Sequence, residues 1–158
     1  MSSIARVLFP PVQEGVDTAA DLPENGVQLG QYKIVDRIRT GGMGAVFRAI
    51  DLTLDRTVAL KVLPPGASRD PHSVQRFQHE AKSAAWLSHG NIARVFASGE
   101  DRGLHYIAFE FVEGSNLRER ITRDRQLPIV DALQITLQMA LALNHMAAQK
   151  VVHRDIKP

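Results

Sequence analysis

The sequence contains no cysteine, and this absence excludes several kinds of chemistry. Without thiols the chain can form no disulfide, no cysteine nucleophile and no thiolate metal site. Its six histidines show no H-x-x-x-H spacing on a predicted helix, so we expect no metal site and disfavour a metal enzyme. A chain without cysteine also fits the reducing cytosol, and we expect a cytoplasmic protein.

Long apolar runs and a strong charge of one sign are lacking as well. No stretch approaches the roughly 18 apolar residues of a transmembrane helix. The segment 1–11 has an arginine inside its short apolar run and no small-residue cleavage site, unlike a signal peptide. The formal net charge is only +2 and the basic residues form no run, so we expect neither nucleic acid nor an anionic membrane as a partner. The 158 residues, 44% of them hydrophobic, have the composition of a soluble globular protein.

The pattern of apolar residues predicts an antiparallel meander of strands followed by helices. Residues 1–28 carry prolines and glycines without a sustained period, and we expect a disordered tail there. Strands are predicted at 32–38, 45–51, 57–63, 92–98 and 104–112, and helices at 70–90, 115–122 and from 128 onwards. The first helix should begin with Asp70 as its N-cap and Pro71 at its first position.

A lysine interrupts the apolar strand from Thr57 to Leu63. Burying the Lys61 ammonium costs several kcal/mol unless a negative group pairs with it. One interpretation is an edge-strand lysine that reaches solvent. The other is a lysine held by a glutamate of the next helix and able to reach a bound phosphate at the mouth of the preceding hairpin.

That hairpin contains Gly41, Gly42 and Gly44 between two predicted strands. Glycines allow backbone N–H groups to approach a ligand with no Cβ in the way, although an isolated G-G-x-G is equally typical of a flexible turn. Glu80 has two interpretations as well. It could pair on the surface with Arg76, or it could be the counter-ion of Lys61, because it borders the apolar face of its helix.

The end of the sequence carries a pattern of its own, because Val151-Val152 runs into His153-Arg154-Asp155-Ile156-Lys157-Pro158. Asp155 alone could form a turn and Lys157 alone could be a surface charge. An apolar pair followed by H-R-D-x-K is nevertheless a specific pattern that chance would rarely produce.

Taken together, these segments resemble the eukaryotic-type protein kinase family, in particular its bacterial Ser/Thr branch, over residues 31–158. The loop glycines and Val46 are similar to the second half of G-x-G-x-x-G-x-V, and the segment ending at Lys61 is similar to V-A-I-K. Other matching segments are the helix around Glu80, His89-Gly90-Asn91-Ile92, the strand and hinge at 106–114, and the catalytic-loop start at 153–158.

The resemblance implies an α+β fold: a kinase-like small lobe with a five-stranded antiparallel sheet and one helix, followed by the first helices of a truncated large lobe. The small lobe would span 29–112, and 113–158 would hold the hinge and the start of the large lobe, ending within the catalytic loop. It implies ATP and Mg²⁺ as cofactors and a protein substrate with Ser or Thr. The residues expected to bind ATP are Gly41, Gly42, Gly44, Val46, Ala59, Lys61, Glu80, Phe109, Glu110 and Val112. Asp155 would accept the substrate proton, and Lys157 would stabilise the transferring phosphoryl group.

Two departures from the family pattern are visible. Arg39 stands where the family has its first loop glycine, and the sequence ends before the segments that carry the Mg²⁺ ligands. We therefore expect a Ser/Thr kinase sequence that transfers little or no phosphoryl group by itself. The alternative is a non-catalytic module that binds nucleotide or another kinase. The long helix at 129–146 is apolar nearly all round, which predicts association through that helix.

Overall fold

The structure is a computed structural model that describes residues 22–41, 44–153 and 156. Its strands are β1 (Gln28–Leu29), β2 (Tyr32–Gly41), β3 (Gly44–Asp51), β4 (Arg56–Val62), β5 (Val95–Asp101) and β6 (Leu104–Glu110). Its helices are α1 (Pro65–Ser68), α2 (Pro71–Ala85), α3 (Leu117–Asp124) and α4 (Ile129–Ala148). The α+β architecture expected from the sequence is confirmed.

One antiparallel sheet contains all six described strands, in the order β1-β2-β3-β4-β6-β5. The five predicted strands are present, although β5 begins at Val95 and not at residue 92. The sixth strand, β1, is only two residues long and pairs with the start of β2. Strand β4 lies inside the sheet, between β3 and β6, so Lys61 is not on an edge strand.

Order begins earlier in the chain than the sequence predicts. Residues 22–28, assigned to a disordered tail, are instead held to the sheet: Leu22 is buried, and the Gly26 N–H donates to the Ile34 carbonyl oxygen at 2.8 Å, just before the buried Leu29 of β1. The apolar side chains of this short segment join the core on one side of the sheet, which fixes it without a long periodic pattern. Residues 1–21 lie outside the described part of the chain.

The two faces of the sheet carry different packing. Side chains alternate between faces along each strand, and one face holds a core that includes Tyr32, Phe47 and Leu60. The opposite face packs against α2 through a second cluster of buried residues, which consists of Leu63, Phe77, Ala81, Ile107 and Phe109. It is on this second face that a lysine is buried.

Helix α2 begins as its sequence predicts. Asp70 caps it: Oδ1 accepts from the His72 N–H at 3.2 Å and Oδ2 from the Ser73 N–H at 3.0 Å. Phe77, Ala81 and Ala84 recur at helical spacing and are buried. The helix ends at Ala85, earlier than the His89-Gly90 end that the sequence indicates.

The described residues divide into two compact units. One comprises 22–85 and 94–111, with the sheet, α1 and α2; the other comprises 86–93, 112–153 and 156, with α3 and α4. In the second unit Asn116 and Glu119 form a reciprocal cap at the start of α3, and Arg120 of α3 pairs with Asp131 of α4.

Helix α4 exposes much of its apolar surface. Only Ala142 and Met146 are buried within it, whereas the exposed side chains include those of Val130, Leu133 and Leu137. The sequence prediction of a long helix opened by Pro128 is therefore confirmed, and the helix carries an uncovered apolar surface. No helix in the described part of the chain combines the length and apolar character needed to cross a membrane.

Candidate functional site

Lys61 and Glu80 form an ion pair between β4 and α2. The Lys61 Nζ donates to Glu80 Oε1 at 2.8 Å and to Oε2 at 3.0 Å. The Lys61 side chain is 0% exposed and that of Glu80 is 16% exposed. Arg76 does not pair with Glu80; its guanidinium donates to the Ser73 hydroxyl at 3.1 Å. Both surface interpretations, the solvent-seeking lysine and the Arg76–Glu80 pair, are thereby excluded.

Burial acts on both partners of this pair. It lowers the pKa of the Lys61 ammonium and raises the pKa of the Glu80 carboxyl. The opposite charge of the partner and the hydrogen bonds between the two groups shift each pKa the other way, and so offset part of the effect of burial. The ammonium has three N–H donors, and both of its bonds to described residues go to one carboxylate. The pair therefore places a desolvated positive charge on one face of the sheet.

The strand register brings further predicted residues to that face. Lys61 is the direct cross-strand partner of Val46 on β3, and Ala59 is that of Phe109 on β6. Directly opposed residues of an antiparallel pair point to the same face, as do residues two apart in one strand. Val46, Ala59, Lys61 and Phe109 thus share a single face, which also receives Glu80 from α2.

The glycine hairpin joins β2 to β3 beside this face. Gly41 and Gly44 are cross-strand partners at its tip. Gly44 has φ +124°, a backbone conformation that L side chains rarely adopt, and a Cβ at this position would overlap the carbonyl oxygen of Val62. The close approach of β4 therefore explains Gly44 without any ligand, which is a cause that the sequence pattern did not reveal.

The residues at the end of β6 differ in their surroundings. Phe109 is buried in the cluster beneath α2. The Glu110 N–H donates to the Arg94 carbonyl oxygen at 2.8 Å, and the Glu110 carboxylate accepts from the Arg94 N–H at 3.3 Å. Val112 follows β6 by two residues and is partly buried.

Three predicted site residues, Gly42, Asp155 and Lys157, lie outside the described part of the chain. The neighbouring His153 is described and buried. Among the described residues no group of three or more His, Asp or Glu side chains is arranged to hold a metal ion.

One buried charge was missed by the sequence analysis. Asp51, at the end of β3, is 0% exposed; its Oδ1 accepts from the Gln31 side chain and from the N–H groups of Thr53 and Leu54, and its Oδ2 lies 3.5 Å from Arg56 Nε. An Asp followed two residues later by Thr in a polar stretch is a signal for a side-chain-capped turn, and it could have indicated these bonds.

Comparison with known proteins identifies the family to which this chain belongs. Residues 32–158 match the family model described as the protein kinase domain. The chain therefore belongs to the protein kinase family.

The relatives narrow the comparison to bacterial serine/threonine kinases. The chain is 42% identical over 129 residues to serine/threonine-protein kinase PrkC of Bacillus subtilis, covering 82% of this chain and 20% of that protein. It is 38% identical over 132 residues to serine/threonine-protein kinase PknB of Mycobacterium leprae, covering 81% of this chain and 21% of that protein. The chain thus spans about a fifth of the length of these relatives.

A solved structure with the same fold is the PknI kinase domain of Mycobacterium tuberculosis. It aligns with a TM-score of 0.73 and 31% sequence identity, over 87% of this chain and 55% of that domain. The likeness includes the small-lobe sheet and helix, so the predicted fold class is confirmed.

Proposed function

We propose that this chain carries the nucleotide-binding part of an ATP-dependent protein serine/threonine kinase. The observation that supports this most directly is the Lys61–Glu80 pair, in which a 0% exposed ammonium is held by a carboxylate from the adjacent helix. A buried pair of this kind adds little to stability compared with apolar packing, so its presence calls for a role in binding or catalysis. The bacterial serine/threonine kinase relatives support the same class of reaction.

In this proposal the sheet face that carries Val46, Ala59 and Lys61 binds ATP. Lys61 contacts the α- and β-phosphates, and Glu80 fixes the direction of its Nζ. Gly41, Gly42 and Gly44 cover the phosphates, while Val46 and Ala59 contact the adenine. ATP supplies the phosphoryl group that is transferred.

The end of β6 completes the adenine contacts. Phe109 limits the depth of the pocket. The Glu110 N–H already donates to the Arg94 carbonyl oxygen. Glu110 therefore contacts adenine through its own backbone carbonyl oxygen, which can accept more than one hydrogen bond because it has two lone pairs. Val112 adds a backbone contact. We propose 29–112 as the small lobe and 113–158 as the hinge and the beginning of the large lobe.

Asp155 and Lys157 complete the proposed chemistry. Asp155 accepts the proton of a Ser or Thr hydroxyl on a protein substrate, and Lys157 stabilises charge on the transferring phosphoryl group. Mg²⁺ would be required as well, but the described residues offer no cluster to hold it, and we assign no step of this chain to the metal. Because the reaction consumes ATP, we place it in the cytoplasm.

The nucleotide-binding role is tested by titrating the 158-residue chain with a fluorescent ATP analogue. Lys61→Met should abolish binding, because it removes the phosphate-binding charge while retaining much of the side-chain volume. Lys82→Met, which removes an exposed lysine from α2, is the matched control and should bind as the unmutated chain does.

Unchanged binding by Lys61→Met would overturn the assigned role of Lys61. Binding without any phosphoryl transfer to protein, even in a chain that carries the whole kinase domain, would instead favour a non-catalytic nucleotide-binding module.

A further inference from the structure

Arg39 lies on the same sheet face as Lys61. Its cross-strand partner on β3 is Val46, and the partner of Val46 on β4 is Lys61. Cross-strand partners point to the same face, so the three side chains form one row across β2, β3 and β4. At the position that the resemblance assigns to the first loop glycine, this chain thus places an arginine beside the proposed phosphate site.

An irregularity in β2 determines which arginine reaches this face. Arg37 pairs with Phe47 and Arg39 pairs with Val46, so the register shifts by one residue at Ile38. In a regular strand, residues two apart would share a face. Because of the extra residue, Arg37 shares a face with Phe47, whose ring is buried in the core on the opposite side of the sheet. Arg39 shares a face with Val46 instead.

The other charges near the loop end of this face are already paired. Arg48 donates to Asp36 Oδ1 at 3.1 Å and to Oδ2 at 2.5 Å, and Lys61 donates to Glu80. Arg39 is exposed and has neither an ion pair nor a hydrogen bond to another residue in the described ranges.

Lys33 also belongs to this face, but it pairs with Ile50, four residues along β3 from Val46, which is roughly 13 Å away. Within the described ranges, the positive charge that lies level with Lys61 and has no ion-pair partner is therefore that of Arg39.

We propose that Arg39 is a specificity-determining residue that binds the phosphate chain of the nucleotide. A guanidinium presents a planar fork of N–H donors that matches phosphate oxygens, and phosphates carry the negative charge that would balance it, because the carboxylates of Asp36 and Glu80 are already paired with Arg48 and Lys61. This role rests on the proposed function, because it requires the nucleotide to occupy the Lys61 face. It makes the site select for the polyphosphate over the nucleoside.

The test measures displacement of a fluorescent ATP analogue from the 158-residue chain by ATP and by adenosine. Arg39→Gln should weaken ATP binding about threefold to tenfold, as expected for a partly exposed charge-assisted contact, and leave adenosine binding unchanged. It should also reduce the salt dependence of ATP binding. Arg37→Gln, which removes the same charge on the opposite face, should leave both affinities unchanged, and Arg39→Lys should recover part of the loss.

Three results would overturn the inference. Equal losses of ATP affinity in Arg39→Gln and Arg37→Gln would show a general charge effect. Equal or tighter ATP binding in Arg39→Gln would show that the arginine is neutral or obstructs the nucleotide. Absence of ATP binding by the unmutated chain would overturn the proposed function itself, and the inference with it.

Discussion

Two charged side chains, Asp51 and Lys61, are both 0% exposed, yet they are held in opposite ways. Asp51 is bonded by its own surroundings: the Thr53 and Leu54 N–H groups come from the turn that follows it, and the Gln31 amide comes from just before the neighbouring strand. Lys61 has no such local partners. Its bonds to described residues both go to Glu80, 19 residues along the chain on another element.

We infer that this difference separates a charge that supports the fold from one that serves the proposed nucleotide site. The bonds to Asp51 satisfy the backbone of a turn, and removing the buried carboxylate would leave the Gln31, Thr53 and Leu54 donors without this acceptor. Lys61 is held by one carboxylate, with one N–H of its ammonium outside those bonds. We therefore expect substitution of Asp51 to affect stability and substitution of Lys61 to affect binding.

The largest expected effect is on the free energy of unfolding of Asp51→Ala, which we expect to fall by about 3 kcal/mol. The reason is that the Gln31, Thr53 and Leu54 donors lose their common acceptor. Urea denaturation followed by circular dichroism would measure this. The control is Asp36→Ala, which breaks a pair whose side chains are each 44% exposed and should cost less than about 0.5 kcal/mol. Similar losses of stability in Asp51→Ala and Asp36→Ala would mean that the buried carboxylate supports the fold no more than the exposed one does.

A smaller effect is expected in the pH dependence of stability. Burial favours a raised pKa for Asp51, but the hydrogen bonds from Gln31, Thr53 and Leu54, together with the nearby Arg56 guanidinium, outweigh it, and the pKa of this carboxyl is lowered. Since the folded-state pKa lies below the unfolded value of about 4, the ionised carboxylate stabilises the fold fully above pH 4, and this contribution is lost as the pH falls through the folded-state value.

Asp51→Asn should therefore be less stable than the unmutated chain near pH 7, and the difference should shrink in acid. Urea midpoints for both chains at pH 7, 5 and 3 would measure the gap. A gap that stays constant over this range would mean that the charge of Asp51 does not contribute.

The smallest expected effect on stability is that of Lys61→Met, within about 1 kcal/mol in either direction. Methionine fills much of the space of lysine without a buried charge, and Glu80, at 16% exposure, can take up a proton once its partner is gone. The same urea measurement applies. A loss as large as that of Asp51→Ala would mean that Lys61 supports the fold as Asp51 does.

Local sequence patterns were sufficient for much of the fold. The alternation of apolar residues predicted five strands, and Asp70-Pro71 predicted the start of α2, because both signals depend on neighbouring residues alone. Strand β1 was not predicted, since two residues cannot show a period. Its order depends on Leu22 and Leu29 reaching a core that distant strands build.

The candidate site was predictable in its chemistry more than in its geometry. Glu80 could be proposed as the partner of Lys61 because it borders the apolar face of its helix. The sheet face on which the Arg39 side chain lies could not be predicted, because it depends on a one-residue register shift between β2 and β3. The sequence also suggested a ligand as the reason for Gly44, whereas the carbonyl oxygen of Val62 leaves no room for a side chain there.

The exposed apolar surface of α4 has a consequence for the behaviour of the chain in solution. With Val130, Leu133 and Leu137 each at least 60% exposed, contact between copies of the helix removes apolar surface from water. Light scattering should therefore rise with protein concentration, and mild detergent should suppress it. We therefore expect self-association of the purified chain to depend largely on α4, which belongs to a different unit from Lys61.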